Sequence, residues 1–174
     1  MSRATPIRAS LDPESSLLPH VRDGIGAVSD GDRSYIDQAI RGEFADSLET
    51  DENLRVGREQ ENRWDYLLGH GASRAIVAFE PHSATNKEVS AVIGKRAKAL
   101  EQLRPHLAEG AYVRDWFWVA SGKVDFVPME KATNQLNNNG ITFVGKQLLA
   151  KHLAALAPAK AKKRKKKRKR KKGT

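Results

Sequence analysis

Two carboxylates and an imidazole stand where they can act together. Asp65 lies in the stretch Arg63-Trp64-Asp65-Tyr66-Leu67-Leu68, and Glu80 and His82 close the stretch that begins at Arg74. Trp64, Tyr66 and Leu68 alternate with Asp65 and Leu67, the period of a β-strand. Residues 75–79 are almost wholly apolar and bounded by turn signals, the pattern of a strand buried on both faces. Gly69-His70-Gly71-Ala72-Ser73 between them supplies the turn of a hairpin. A turn centred near Gly71 sets Asp65 opposite Ala78, with Glu80 its diagonal neighbour at about 7–8 Å on the same face. His82, two residues on, shares that face if the strand continues through Pro81. Carboxylates offer oxygen to cations and an imidazole moves protons near neutral pH. This is the one constellation in the chain that resembles a reaction centre.

The elements that must hold these groups follow from pattern. Residues 1–30 contain three prolines with scattered serines and glycines and no sustained period, which predicts a mobile N-terminal arm. Ile36, Ile40, Phe44 and Leu48 recur every fourth residue behind Asp32, predicting a helix from Arg33, and 52–62 reads as a second helical piece. After the hairpin, Thr85 and Glu88 form a capping-box pattern. Val89, Val92, Ile93, Arg96, Leu100, Leu103 and Leu107 then trace one helix stripe, with Lys87, Lys95 and Lys98 on the opposite side. Residues 111–120 read as a strand, with Trp116 and Trp118 on one face and Phe117 and Val119 on the other. Ser121-Gly122 is a turn pair returning 123–127 as a partner strand. A helix from Pro128 to Leu136, a strand at 141–144 and a helix at 146–157 complete the order. The expectation is an α/β domain over 31–157, built as one mixed sheet. Its helix–hairpin–helix–strand core has 75–79 as the central strand, followed by an appended strand, helix, strand and helix.

An acid on one hairpin strand, then Glu-x-His at the end of the next strand and a helix immediately after, resembles the PD-(D/E)XK nuclease-like superfamily over about 52–120. The resemblance is one of positions. It implies that Asp65 and Glu80 are metal-binding acids. His82 stands where the family usually has lysine, and Trp64 stands where it has proline. Lys95 on the following helix is the candidate to replace that lysine, with His82 and Lys95 facing the attacked phosphate. Mg²⁺ or Mn²⁺ would suit two carboxylates plus phosphate oxygens, activating water and neutralising developing charge. The plainer reading leaves Asp65 solvated, Glu80 capping the helix or paired with Arg63, and Pro81 simply ending the strand.

Charge divides the chain. It carries 31 basic and 21 acidic residues, and twelve of the basic ones fall in 158–174, where no acid occurs; the remainder holds nineteen against 21, a net charge of −2. Lys162, Lys163, Arg164, Lys165, Lys166, Lys167, Arg168, Lys169, Arg170, Lys171 and Lys172 are consecutive, repel one another and predict a disordered tail. Such a run binds polyanions by counterion release, nucleic acid (DNA or RNA) above all. Nuclear localisation is the rival role in a eukaryote, and an expression tag the mundane one. Cysteine is absent, removing thiol nucleophiles and cysteine metal sites. The histidines lack HExxH spacing, and no glycine pattern forms a phosphate loop or a nucleophile elbow. Trp116 and Trp118 could stack bases, although core packing explains them as well. No apolar run of 18 residues or secretory h-region is present, so a membrane role is not expected. The expected setting is cytoplasmic and nucleoid-associated in a prokaryote, nuclear in a eukaryote. Three functions stay open: a nucleic-acid-associated, metal-dependent phosphodiesterase, a non-enzymatic DNA- or RNA-binding module, and an interaction protein localised by its tail.

Overall fold

The computed structural model describes residues 3–124 and 130–156, with backbone alone at 123, 124 and 130. Strands β1 (Arg22–Asp23), β2 (Phe44–Glu49), β3 (Tyr66–His70), β4 (Ile76–Ala84), β5 (Val113–Val124) and β6 (Ile141–Phe143) lie in one sheet in chain order. The first four are antiparallel, while β5 runs parallel to β4, and β6 to β5. The parallel pairs need crossovers, and helices α4 (Glu88–Leu103) and α5 (Glu130–Asn138) provide them. Short helices α1 (Pro6–Ser10), α2 (Asp30–Arg33), α3 (Thr50–Asn53) and α6 (Ala150–Leu153) fill the ends. The result is a mixed α/β domain around a six-stranded sheet, with 75–79 central as expected.

Apolar alternation along the strands builds two cores. Ile76, Ala78, Trp116 and Trp118 join Trp64, Val92 and Leu103 on the α4 face, whereas Val77, Phe79, Phe117 and Val119 meet Ile36, Phe44, Tyr66 and Leu148 on the other. Both tryptophans of β5 are therefore core residues, 2% and 0% exposed.

Several expectations are corrected. Residues 3–30 are packed rather than a mobile arm: Ile7, Leu11, Leu17, Val21 and Val28 are buried. The buried Asp46 carboxylate accepts from Ile7 N (3.0 Å) and Arg8 N (3.1 Å), which ties α1 to β2. The helix expected from Arg33 is replaced by a short turn of helix, a 3₁₀ segment at Gln38–Glu43 and then β2. The spacing of four misleads because a β-bulge between Phe44 and Asp46 sends Phe44 and Leu48 to opposite cores. Of the helix expected at 52–62, only α3 forms, ending at Asn53. Ser121-Gly122 does not reverse the chain, since β5 continues through it to Val124; the rest of the expected partner strand lies outside the described residues. The last helix shrinks to α6 and a 3₁₀ turn, because Lys146–Leu149 is occupied by a bridge from Leu148 to Ile36. The basic run at 158–174 also lies outside the described residues.

Candidate functional site

Asp65 sits one residue before β3. Its carbonyl accepts from Thr50 N at 2.8 Å, and Thr50 Oγ1 donates to Trp64 O at 2.5 Å, so the start of α3 fixes the backbone here. Trp64 anchors the same segment by packing edge-on against Trp116, with centroids 5.0 Å apart. The β3–β4 register pairs Tyr66 with Phe79 and Leu67 with Ala78. Carried one step further, that register puts Asp65 directly opposite Glu80 rather than diagonal to it. The bond from Asp65 N to Glu80 Oε2, 2.9 Å, marks this closer approach. The shift originates in the turn, where Arg74, not a glycine, adopts the left-handed conformation (φ 65°) and the loop closes from His70 to Ala75.

The third member comes from α4. The helix buries Val89, Val92, Ala99, Gln102 and Leu103 and leaves Leu100 37% exposed. Lys95 therefore lies on the inward face and not on the opposite, solvent side. Its ammonium is hydrogen-bonded to Glu80 Oε1 and lies 4.0 Å from Asp65 Oδ1. One cation thus spans both carboxylates. Lys87 and Lys98 do face solvent, and Lys98 pairs with Glu101 at 3.2 Å.

His82 shares the face of Glu80 but joins a different pair, its Nε2 lying 2.9 Å from Glu88 Oε2. This is why the capping box fails. Glu88 turns to His82, Lys87 is the N-cap, and no side chain caps the helix. Arg63, the alternative partner for Glu80, is engaged by Asp51 at 3.1 Å. The structure therefore brings together Asp65, Glu80 and Lys95, and places His82 beside them with Glu88. Sequence reasoning missed Glu88 and Asp51 as partners. The only signal for Glu88 was one already explained by the capping pattern.

Burial raises Glu80 well above the usual carboxylate range; the Asp65 charge adds to the rise and Lys95 opposes it. Burial also raises Asp65, against Lys95, with Asp51, Asp32 and Glu49 adding repulsion. Two acids share one cation, so with both ionised the cluster keeps an excess negative charge inside the fold. Hard oxygen donors with unbalanced negative charge suit a hard divalent ion that keeps most of its waters. Among the described residues no group of three or more His, Cys, Asp and Glu side chains is arranged to hold a metal. An ion held here would have Asp65 and Glu80 as its carboxylate ligands among the described residues, and its remaining positions would fall to water and substrate.

Fold and site together define a mixed α/β domain with a part-buried carboxylate–lysine cluster, Glu80 innermost, beside a histidine–glutamate pair. Comparison with protein-family models, with curated proteins and with solved structures found no match for this chain.

Proposed function

We propose that this chain is a nucleic-acid-associated protein whose core works as a metal-dependent phosphodiesterase. The observation that carries the reading is the Lys95 ammonium in reach of both Asp65, just ahead of β3, and Glu80 on β4. Two acids and a lysine at the end of a hairpin, followed by a helix and a parallel strand, agree with the arrangement implied by the PD-(D/E)XK resemblance. Asp65 and Glu80 would hold Mg²⁺ or Mn²⁺, and the bound ion supplies charge neutralisation and a more acidic water. Lys95 would turn its ammonium from Glu80 to a non-bridging oxygen of the scissile phosphate, stabilising charge that grows in the transition state. His82, on the same face, would accept the proton of the attacking water as the water oxygen bonds to phosphorus and the phosphorus–oxygen bond to the leaving group breaks, the departing oxygen taking a proton from solvent. The basic run from Lys162 to Lys172 would hold the polyanion near the site without reading its sequence.

A second reading is favoured by one observation: both Glu80 oxygens are already engaged, one by Lys95 and one by Asp65 N. A closed ion pair of this kind suits a non-enzymatic binding module tethered by its tail.

The two readings part on one experiment. Mg²⁺ or Mn²⁺ should raise the melting midpoint of the wild-type chain by binding the folded state alone, and Glu80→Gln should abolish that shift. Wild type should nick single- or double-stranded DNA or RNA only with the metal present, and Glu80→Gln should not. A wild-type midpoint indifferent to both metals at millimolar concentration would overturn the enzymatic reading.

A further inference from the structure

At the far end of β4 and β5 from His82, Ser10, Ser73, Arg74, Ala75, Tyr112 and Arg114 line a pocket of about 250 Å³. No Asp or Glu lines it, although residues 1–157 carry a net charge of −2. Two arginines reach it, and each is delivered by a break in regular backbone. Arg74 is the single non-glycine residue with positive φ among the described residues, at 65°. A side chain with a Cβ is strained there, and such strain persists where the surrounding structure enforces it. Arg114 is the extra residue of a bulge: Ile76 pairs with Val113 and Val77 with Asp115, so Arg114 has no partner across the ladder. Bulges redirect a side chain out of the strand's alternation.

Neither guanidinium meets a carboxylate among the described residues. Arg74 Nη2 donates to Ala4 O, and Arg114 donates to Leu156 O and Ala155 O, both at 2.8 Å. Carbonyls orient a guanidinium but do not neutralise it, and each fork of five N–H groups keeps donors to spare. Ser10 and Tyr112 add hydroxyls on the rim. Two forks and neighbouring hydroxyls around an acid-free hollow suit an oxyanion, and phosphate presents oxygens in enough directions to meet both guanidiniums at once. Arg114 also holds the carbonyls of Ala155 and Leu156, at the end of the described residues.

We propose that this pocket is a phosphate-binding site, taking either a free phosphate-type anion or a backbone phosphate of a polynucleotide. The site is separate from the Asp65–Glu80–Lys95 cluster and does not depend on catalysis there.

The test is amide-resolved NMR titration of the full chain, which distinguishes the pocket from the tail. The probes are inorganic phosphate and a short oligonucleotide with and without a 5′-phosphate. Saturable shifts at Ser10, Ser73, Ala75 and Tyr112 are expected, at least tenfold weaker in Arg74→Gly, which removes the guanidinium and relieves the strained φ together. Saturation by inorganic phosphate identifies a small-anion site. Saturation by the oligonucleotides alone identifies a backbone contact. Arg114→Gln serves as the second variant and should weaken binding similarly while the amide spectrum stays dispersed. Shifts confined to residues 157–174, or equal pocket affinity in wild type and both variants, would overturn the assignment.

Discussion

Lys95→Met puts the cluster to its hardest test. Glu80 has no exposure and keeps only the Asp65 N–H once the ammonium is gone. Removing one partner of a buried ion pair costs roughly 3–5 kcal/mol, because the remaining charge has neither water nor a counter-ion. For a domain of this size that lowers the melting midpoint by roughly 6–20 °C. The cost belongs to the stranded charge and not to lost packing, so Glu80→Gln should rescue it. The double variant Lys95→Met/Glu80→Gln should be more stable than Lys95→Met alone, an inverted sign that simple loss of contacts does not give. Protonation should act as the mutation does. Both acids have folded values raised above their unfolded ones, so the folded state holds more protons. The stability they contribute is present below the ordinary carboxylate range and is lost as pH rises through the raised values. Urea unfolding at pH 5 and pH 8 should therefore show wild type favoured at the lower pH, with the larger difference in Lys95→Met. A Lys95→Met chain within about 1 kcal/mol of wild type at pH 8, or one that Glu80→Gln fails to rescue, would refute the reasoning.

The remaining predictions concern the scaffold and the tail. A Cβ on Gly69 would collide with Asp46 Oδ1, the atom group that holds α1, so Gly69→Ala should cost roughly 1–3 kcal/mol and expose 3–12 to limited proteolysis. Phe79→Ala should cost roughly 3–5 kcal/mol by equilibrium unfolding, since Phe79 is fully buried against Tyr66 in the central strand. Deleting 158–174 should remove most affinity for duplex DNA in a salt titration, while wild type shows a slope of about −0.9 per phosphate neutralised. Retention of near-full affinity would move the polyanion site onto the domain.

How far the sequence could be read depended on where each segment finds its hydrogen-bond partners. The β3–β4 hairpin was legible because the alternation of Tyr66, Leu67 and Leu68 and the apolar run are local properties, although Trp64, ahead of β3, packs with Leu67 and not with Tyr66 and Leu68 as its spacing suggests. Its register was not, because Arg74 supplies the left-handed residue that two nearby glycines would be expected to supply. β2 was illegible for a different reason. Asp46 and Ser47 interrupt its apolar pattern, yet both are buried, and their partners are the backbones of Ile7, Arg8 and Ala27. A polar side chain whose partner lies 20 to 39 residues away looks like a solvent residue in any window. The same bonds explain why 3–30 packs without a period of its own, with isolated anchors held by the strand beneath them.

The face of α4 gives the sharpest instance, and it bears directly on the site. Apolar spacing centres the buried stripe between Leu100 and Arg96, whereas the helix is turned by roughly 60°, at 100° per residue, toward Ala99, Gln102 and Lys95. The turn leaves part of Leu100 in water, a loss bounded by the roughly 1.5–3 kcal/mol of burying a whole leucine. It brings Lys95 to Glu80 and Asp65, and stranding that buried charge would cost roughly 3–5 kcal/mol. The larger quantity sets the orientation. An α4 placed by hydrophobicity alone would aim Lys95 at solvent and leave two acids facing each other beneath it. The polar cluster is thus a reason for the helix's pose rather than a passenger on it. Substituting Lys95 and Glu80 together with apolar residues should consequently let α4 rotate back, burying Leu100, a change visible as protection of Leu100 and new exposure of Gln102.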